Sequence, residues 1–488
     1  MSSPTDVWNN LLAGAGASAM CRRLSAQMQE RRLRFGDRVI CPFLRPFFLD
    51  AADETRVRGV AEMLWTLGER VASEAAGTPE LLADLALSDD EIRLAGIDPG
   101  YATTSTAARA DAFILPGSLQ FAEYNAESPA GAGYSQGLAE LFDAEPVMAG
   151  FRERFDARFA RPVEALLDAL VASYREWGGT ASPPRMAIVD WRDVPTFSEF
   201  EILRDAFVAL GVPTVICDPR DLEFAAGARF PPPLRPFAPE RRRDPAEAPG
   251  AKAGSAGAGR GLYANGERID LVYRRVLIND IVAREGECRA LLDAYRSKTV
   301  CVANSLRCKI PHKKAFFAVL TGERYARLFS AQEREMIRRH VPWTALVEER
   351  RVTIGRRPVD LVPHLRAHRD QFVIKPNDEY GGTGVTLGWE TSEAEWDAAI
   401  AQAIAERDRG WVAQQRIAVR RELFPVCDAD GMTMRDMLVD FAPYVFRGTL
   451  AGFLTRLSAS GLANVTSGGG QVPAFVVSDR SAGLKSGA

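Results

Sequence analysis

Apolar residues recur at three- and four-residue spacing through Ala61-Glu-Met-Leu-Trp-Thr-Leu-Gly-Glu-Arg-Val71 and Pro79-Glu-Leu-Leu-Ala-Asp-Leu-Ala86, which predicts helices over most of residues 1–100. Arg45 and Arg56 could face a ligand there, but a solvated surface is the expected place for either. The period then drops to two. Arg109-Ala-Asp-Ala-Phe-Ile-Leu115 and the segment from Leu119 to Pro129 flank Pro116-Gly117, predicting a hairpin with Phe121, Glu123 and Asn125 on one face. An amphipathic helix follows over 162–178. The strand Arg185 to Asp190, a helix capped by Thr196 or Ser198 and ended at Gly211, and the strand Val212 to Cys217 then make a βαβ unit. Such a unit implies a parallel sheet with a ligand crevice at its strand C-termini, beside the loop 191–197 and Glu199.

Periodicity disappears from Pro231 to Arg260, where Pro-Pro-Pro, Arg-Arg-Arg and an Ala/Gly/Ser tract predict a disordered surface insertion. Order resumes with a strand from Glu267 to Arg275 and a helix beginning near Ala315. Phe372-Val-Ile reads as a short buried strand delivering Lys375 to a sheet end, followed by a mobile loop. A helix spans Ser392 to Glu406, and strands are expected at Gly410–Ile417, Met437–Phe446 and Gly452–Leu457. Asn464 to Gly470 is a second glycine-rich stretch, a lid or a tail.

The chemistry concentrates in Phe372-Val-Ile-Lys-Pro-Asn-Asp-Glu-Tyr-Gly-Gly-Thr-Gly-Val385. A lysine, the carboxylates Asp378 and Glu379, and Gly381, Gly382 and Gly384, whose backbone N–H groups can close over an anion, suit a nucleotide triphosphate with magnesium. The Lys precedes the glycines, so this is not a Walker A loop. Glu123 beside Asn125 offers hard oxygen ligands, or a solvated sheet face if read alone. One of Arg274 and Arg275 can point into the crevice and pair with a carboxylate. Lys313-Lys314 at a helix start opposes the helix dipole unless a phosphate sits there.

Composition narrows the classes. The chain has 488 residues, 47% of them hydrophobic, enough for two or three domains with a large core. Its 61 basic and 64 acidic residues give a net charge of −3, which argues against nucleic acid or an anionic membrane as partner. Seven cysteines without a Cys-x-x-Cys pair are expected to be reduced thiols, and with no leader or apolar span the expectation is a cytoplasmic protein.

In order along the chain, Arg109-Ala-Asp111, Glu123-Tyr-Asn125, Val272-Tyr-Arg-Arg275, Lys313-Lys314 and Ile374-Lys-Pro-Asn-Asp-Glu379 with its glycines resemble the eukaryotic-type glutathione synthetases, over about residues 109–477. The resemblance implies an α/β fold of permuted ATP-grasp type, with an inserted parallel α/β substrate domain and an N-terminal helical layer. The divisions would be 1–100, 101–180, 181–300 (carrying the 231–260 insertion) and 301–488. It also implies a reaction: ATP-dependent joining of a small-molecule or peptide carboxylate to an amine through an acyl phosphate, by a homodimer. Magnesium would sit on Glu123, Asn125 and Glu379. ATP would contact Lys313, Lys375, Gln414, Gln415, Ile417, Asp440, Gly381 and Gly382. Substrate would meet Arg275, Ser128, Glu199, Gly469 and Gly470, with Arg109, Arg456 and Lys375 as catalytic cations. The chain differs from the family in Tyr380 between Glu379 and the glycines, in the 126–132 loop and at Pro195 and Glu199, so the substrate is not named by it. A regulatory nucleotide-binding protein with a decayed site and a phosphotransferase on the same scaffold stay open.

Overall fold

The structure is a computed structural model that describes residues 2–115, 117–226, 259–428, 431–459 and 469–480. Apart from residues 259 and 260, the insertion expected at 231–260 lies outside the described residues, as do Pro116 and positions 464–468 of the second glycine-rich stretch.

Two antiparallel sheets and one parallel sheet position the site. The first has six strands: Gly470–Val472, Thr449–Ser458, Gly431–Phe446, Ala107–Leu115 and Ser118–Asn125 in that order, with Arg421–Asp428 paired on the outer half of Gly431–Phe446. Two-residue alternation gives this sheet an apolar face, with Ala108, Ala110, Ala112, Phe441 and Leu457 in the main core. The opposite face carries Arg109, Asp111, Asp440 and Arg456. Against the apolar face lies the helix Ala51–Ala75, started by Asp50, whose carboxylate accepts the Asp53 N–H at 2.6 Å. Its buried residues Val57, Leu64, Leu67 and Val71 keep the spacing the sequence predicts. At Gly68 the helix approaches the hairpin so closely that a Cβ would stand 3.1 Å from the Tyr124 ring.

The hairpin departs from its expected pattern in one place. Asp111 pairs with Glu123 but Ala112 pairs with Phe121, so Ala122 is the extra residue of a bulge. The bulge breaks the alternation: Phe121 and Tyr124 both face the core, while Glu123 and Asn125 turn to the polar face. Phe121 therefore does not share a face with Glu123 and Asn125.

The second antiparallel sheet orders Thr344–Leu346, Trp411–Gln415, Phe372–Pro376 and Thr386–Leu387. Phe372 and Ile374 bury against the helices Leu361–Ala367 and Glu393–Ala405, which leaves Val373 and Lys375 facing the six-stranded sheet. In the parallel sheet the order is Cys301–Ala303, Leu271–Arg274, Met186–Val189 and Thr214–Cys217.

Two expectations are corrected. Arg45 is buried rather than solvated: its guanidinium lies 3.8 Å from the Phe424 ring centroid and 3.1 Å from the Glu422 carboxylate. Cys21 and Cys427 form a disulfide, their Cα atoms 6.0 Å apart, so not every cysteine is a free thiol. Cys41, Cys217, Cys288, Cys301 and Cys308 are free and buried.

Candidate active site

The polar face of the six-stranded sheet and the Lys375 face of the four-stranded sheet enclose a cavity of about 170 Å³, topped by Glu379, Gly381 and Gly382. Apolar side chains from Val373, Leu387, Trp389 and Ile417 line part of it, and Lys314, Lys375, Glu123 and Asp111 line the rest. Apolar side chains beside paired cations suit a ligand with an apolar ring and an anionic end. Trp389 carries the Arg416 guanidinium 4.3 Å from its ring centroid.

Lys375 is held by Gln414 Oε1 at 2.7 Å and by the carbonyl of the bulged Ala122 at 3.2 Å. Burial, partly offset by Glu123 and reinforced by Lys314, brings its ammonium down to about 8. Gln414 is fixed in turn by donating to Thr344 Oγ1 at 3.2 Å. Gln415 and Ile417 line the same cavity.

The structure separates the two lysines at 313 and 314. Lys313, expected on the phosphates, is buried away from the cavity, its Nζ 2.7 Å from Glu91 and 2.7 Å from Asp378. Lys314 lines the cavity instead, donating to the Glu379 carbonyl and lying 3.4 Å from the Glu123 carboxylate.

Four alternating charges cross the sheet beside them. Arg109 donates to Asp111 at 2.8 Å, and Arg456 donates to Asp111 at 2.6 Å and to Asp440 at 2.6 Å. Burial raises the Asp111 carboxyl, but the two guanidiniums together hold it well below the usual range. Among the described residues Asp440 has only Arg456 as direct partner and one of its oxygens is unpartnered; burial pushes it up to about 6.

Arg456 and Gly381 are shared with the wall of a second cavity of about 520 Å³. Arg109, Ser128, Arg275 and Gln471 line it, with Asp190, Asp280, His312 and Tyr380. Arg275 donates to the Pro129 carbonyl at 2.6 Å, and its buried Nε has no partner. Ser128 returns a bond to the Arg275 carbonyl at 2.9 Å, so the 126–132 loop is strapped to this strand. Arg274 is the structural member of the pair: fully buried, it binds the Val276 carbonyl and faces Glu127 at 3.5 Å.

Glu199 lies behind the loop rather than in the cavity wall. Its carboxylate accepts the N–H groups of Gly131 at 2.6 Å and Gly133 at 3.3 Å, fixing the start of the helix Ala132–Asp143. Gly469 accepts from Arg38 at 3.1 Å, and Gly470 pairs with Leu457 in the sheet. Neither lines a cavity, while their neighbour Gln471 does. Gln471, Lys314, Asp111, Trp389, Asp190 and Asp280 are among the cavity residues outside the set expected from the sequence. Of these only Asp111 and Lys314 lay within a recognised motif.

Glu123, Asn125 and Glu379 fit a hard divalent cation by donor type, being oxygen ligands only. The buried Asn125 amide nitrogen has no partner, and the oxygen and nitrogen of an amide are interchangeable by rotation, so the oxygen can be presented. Glu379 is tied to Arg409 at 2.9 Å and must exchange that partner for a cation. Glu127, His312 and Asp378 also converge. There Lys309 lies 3.1 Å from Glu127 and 2.8 Å from Asp378, and with Lys313 it supplies the countercharge, so this cluster is an ion-pair network.

Residues 261–465 match the family described as circularly permuted ATP-grasp type 2, and the resemblance expected from the motifs is shown on that segment. A stretch of 232 residues is 26% identical to an uncharacterised protein of Mycobacterium tuberculosis, covering 44% of this chain and 38% of that protein. A candidate glutamate–cysteine ligase of Frankia alni is 26% identical over 234 residues, 43% of this chain and 23% of its own. The matches thus span less than two-fifths of these curated relatives. A glutathione synthetase-like effector from Globodera pallida, solved without ligand, shares the fold with a TM-score of 0.57 at 12% identity, covering 94% of this chain and 96% of its own. Among the described residues no helix is long and apolar enough to cross a membrane.

Proposed function

We propose that this chain is an ATP-dependent carboxylate–amine ligase. One observation carries the reading: the cation-lined cavity shares two of its wall residues, Arg456 and Gly381, with a second cavity that holds Arg109 and Arg275. A γ-phosphoryl group at Lys314 and Lys375 would lie beside a carboxylate held from the other side. In the first step the carboxylate oxygen attacks the γ-phosphorus and ADP leaves. In the second an amine displaces phosphate from the acyl carbon and gives up a proton, leaving an amide.

Most of the catalysis in such chemistry is positioning and charge neutralisation. Lys375 and Lys314 would hold phosphate oxygens. Arg456, oriented by Asp111 and Asp440, would face the transferred group from the sheet. Magnesium on Glu123, Asn125 and Glu379 would neutralise charge between the phosphates. Arg275, through its unpartnered Nε, would orient the acid. The names of the Frankia relative and the Globodera effector support a ligase of this type.

The test is phosphate release from Mg-ATP with a panel of amino acids and short peptides paired with free amines, with products read by mass spectrometry. A new mass equal to acid plus amine minus water establishes the ligase. A phosphorylated acid as the stable product would instead establish a phosphotransferase.

A further inference from the structure

Resting on the ligase reading, we propose that Tyr380 is the residue that makes closure of the glycine loop depend on a filled substrate cavity, covering the bound acid while its loop neighbours cover the nucleotide. Glu379, Gly381 and Gly382 line the nucleotide cavity, whereas Tyr380 lines the substrate cavity. One loop therefore roofs both, and this tyrosine is its only side chain larger than threonine on the substrate side. The ring is 55% exposed, with no stacking partner and no hydrogen bond among the described residues. A large aromatic left in water at a cavity mouth gains apolar contact only by folding down onto an occupant. The turn behind the ring is built on glycine: Gly381, Gly382 and Gly384 have φ of 69°, 79° and 70°, a left-handed backbone that side-chain-bearing residues rarely adopt. The root of the loop, by contrast, is anchored, because Asp378 is held by Lys309 at 2.8 Å and Lys313 at 2.7 Å. Closure would then fall to the segment beyond Asp378, which carries the ring.

The chemistry gives this cover a purpose. The acyl carbon of an acyl phosphate is open to water, a weaker nucleophile than an amine but present in great excess: the C–O bond to phosphate breaks, the free acid returns with inorganic phosphate, and ATP is consumed without product. A ring over the acid excludes that water.

The experiment compares the full-length wild type with Y380F and Y380A, using the acid–amine pair that gives most amide in the panel. Three quantities are read: the Kd for Mg-ADP, the KM for the acid, and the ratio of phosphate to amide. For Y380A the expected result is a KM for the acid raised about tenfold, the loss of one buried ring contact. Its phosphate-to-amide ratio should rise above that of the wild type while Mg-ADP affinity is unchanged. Y380F should match the wild type, because the ring does the covering. An unchanged KM and ratio in Y380A overturns the role, and so does a parallel loss of Mg-ADP affinity, which would make the tyrosine a support of the nucleotide loop. Loss in Y380F equal to that in Y380A overturns it too. If the wild type forms no amide with any pair, the ligase reading itself fails; if it forms amide and Y380A behaves identically, only the tyrosine's role fails.

Discussion

Neighbouring lysines with opposite fates make the sharpest case at the scale of single residues. Lys313 closes a buried set with Glu91, Asp378 and Lys309, whereas Lys314 faces the cavity under the glycine loop. Replacing Lys313 with Met strands buried carboxylates and should cost ~3–5 kcal/mol, read as a lower denaturant midpoint. Lys314→Met should instead lower turnover by ~10²–10³ with the midpoint unchanged. The reverse pattern would return Lys313 to the phosphates. Lys375 adds a pH dependence. Its ammonium is depressed to about 8 in the folded chain, so it loses charge as pH rises through that value. Mg-ADP affinity should then fall by about tenfold per pH unit above 8, and the slope should vanish in Lys375→Met. The sign for stability is opposite. Between about 8 and the ordinary lysine value of 10.5 the unfolded chain holds the extra proton, so this group's contribution to stability rises with pH.

Among the elements, the strand that delivers Lys375 and the hairpin that carries Glu123 and Asn125 were legible, because a period of two, a Lys-Pro stop and a Pro-Gly turn are local signals. The bulge at Ala122 was not, since one inserted residue leaves no mark in a pattern of apolar and polar letters. Yet it both turns Glu123 into the cavity and offers the Ala122 carbonyl to Lys375. The lysine pair was hidden for a related reason. Adjacent residues at a helix start point in different directions, and only the acids from distant segments decide which one is neutralised. The glycine loop can be tested as an element. A Cβ at Gly384 would stand 2.7 Å from Pro376 Cγ, at a φ of 70°. Gly384→Ala should strain the loop by ~1–3 kcal/mol, which lowers the unfolding midpoint, and should raise the Kd for Mg-ADP measured with the acid present by about 5- to 150-fold. Unaltered nucleotide affinity would show that the loop does not close on ADP.

For the whole molecule, the site depends on segments that the chain order keeps far apart. The six-stranded sheet joins Ala107–Leu115 to Gly431–Phe446, with Tyr444 opposite Arg109. No local pattern announces such a pairing, and the motif order could suggest it only through likeness to a permuted family. The Cys21–Cys427 disulfide spans 406 residues and fastens the helix Ala17–Glu30 to Arg421–Asp428, the outer strand of that same sheet. Closing so long a loop removes much of the unfolded chain's freedom, a contribution of ~2–4 kcal/mol by the usual magnitude. Both cysteines lie on the helix side, away from the cavities, since neither lines them. Reduction, or the Cys21→Ser variant, should therefore lower the thermal midpoint and leave Mg-ADP affinity unchanged. Peptide mapping under non-reducing conditions should recover the 21–427 cross-link. If the native protein yields both thiols free and dithiothreitol leaves its midpoint unmoved, the pairing is absent in solution, and packing alone holds the helix to the sheet.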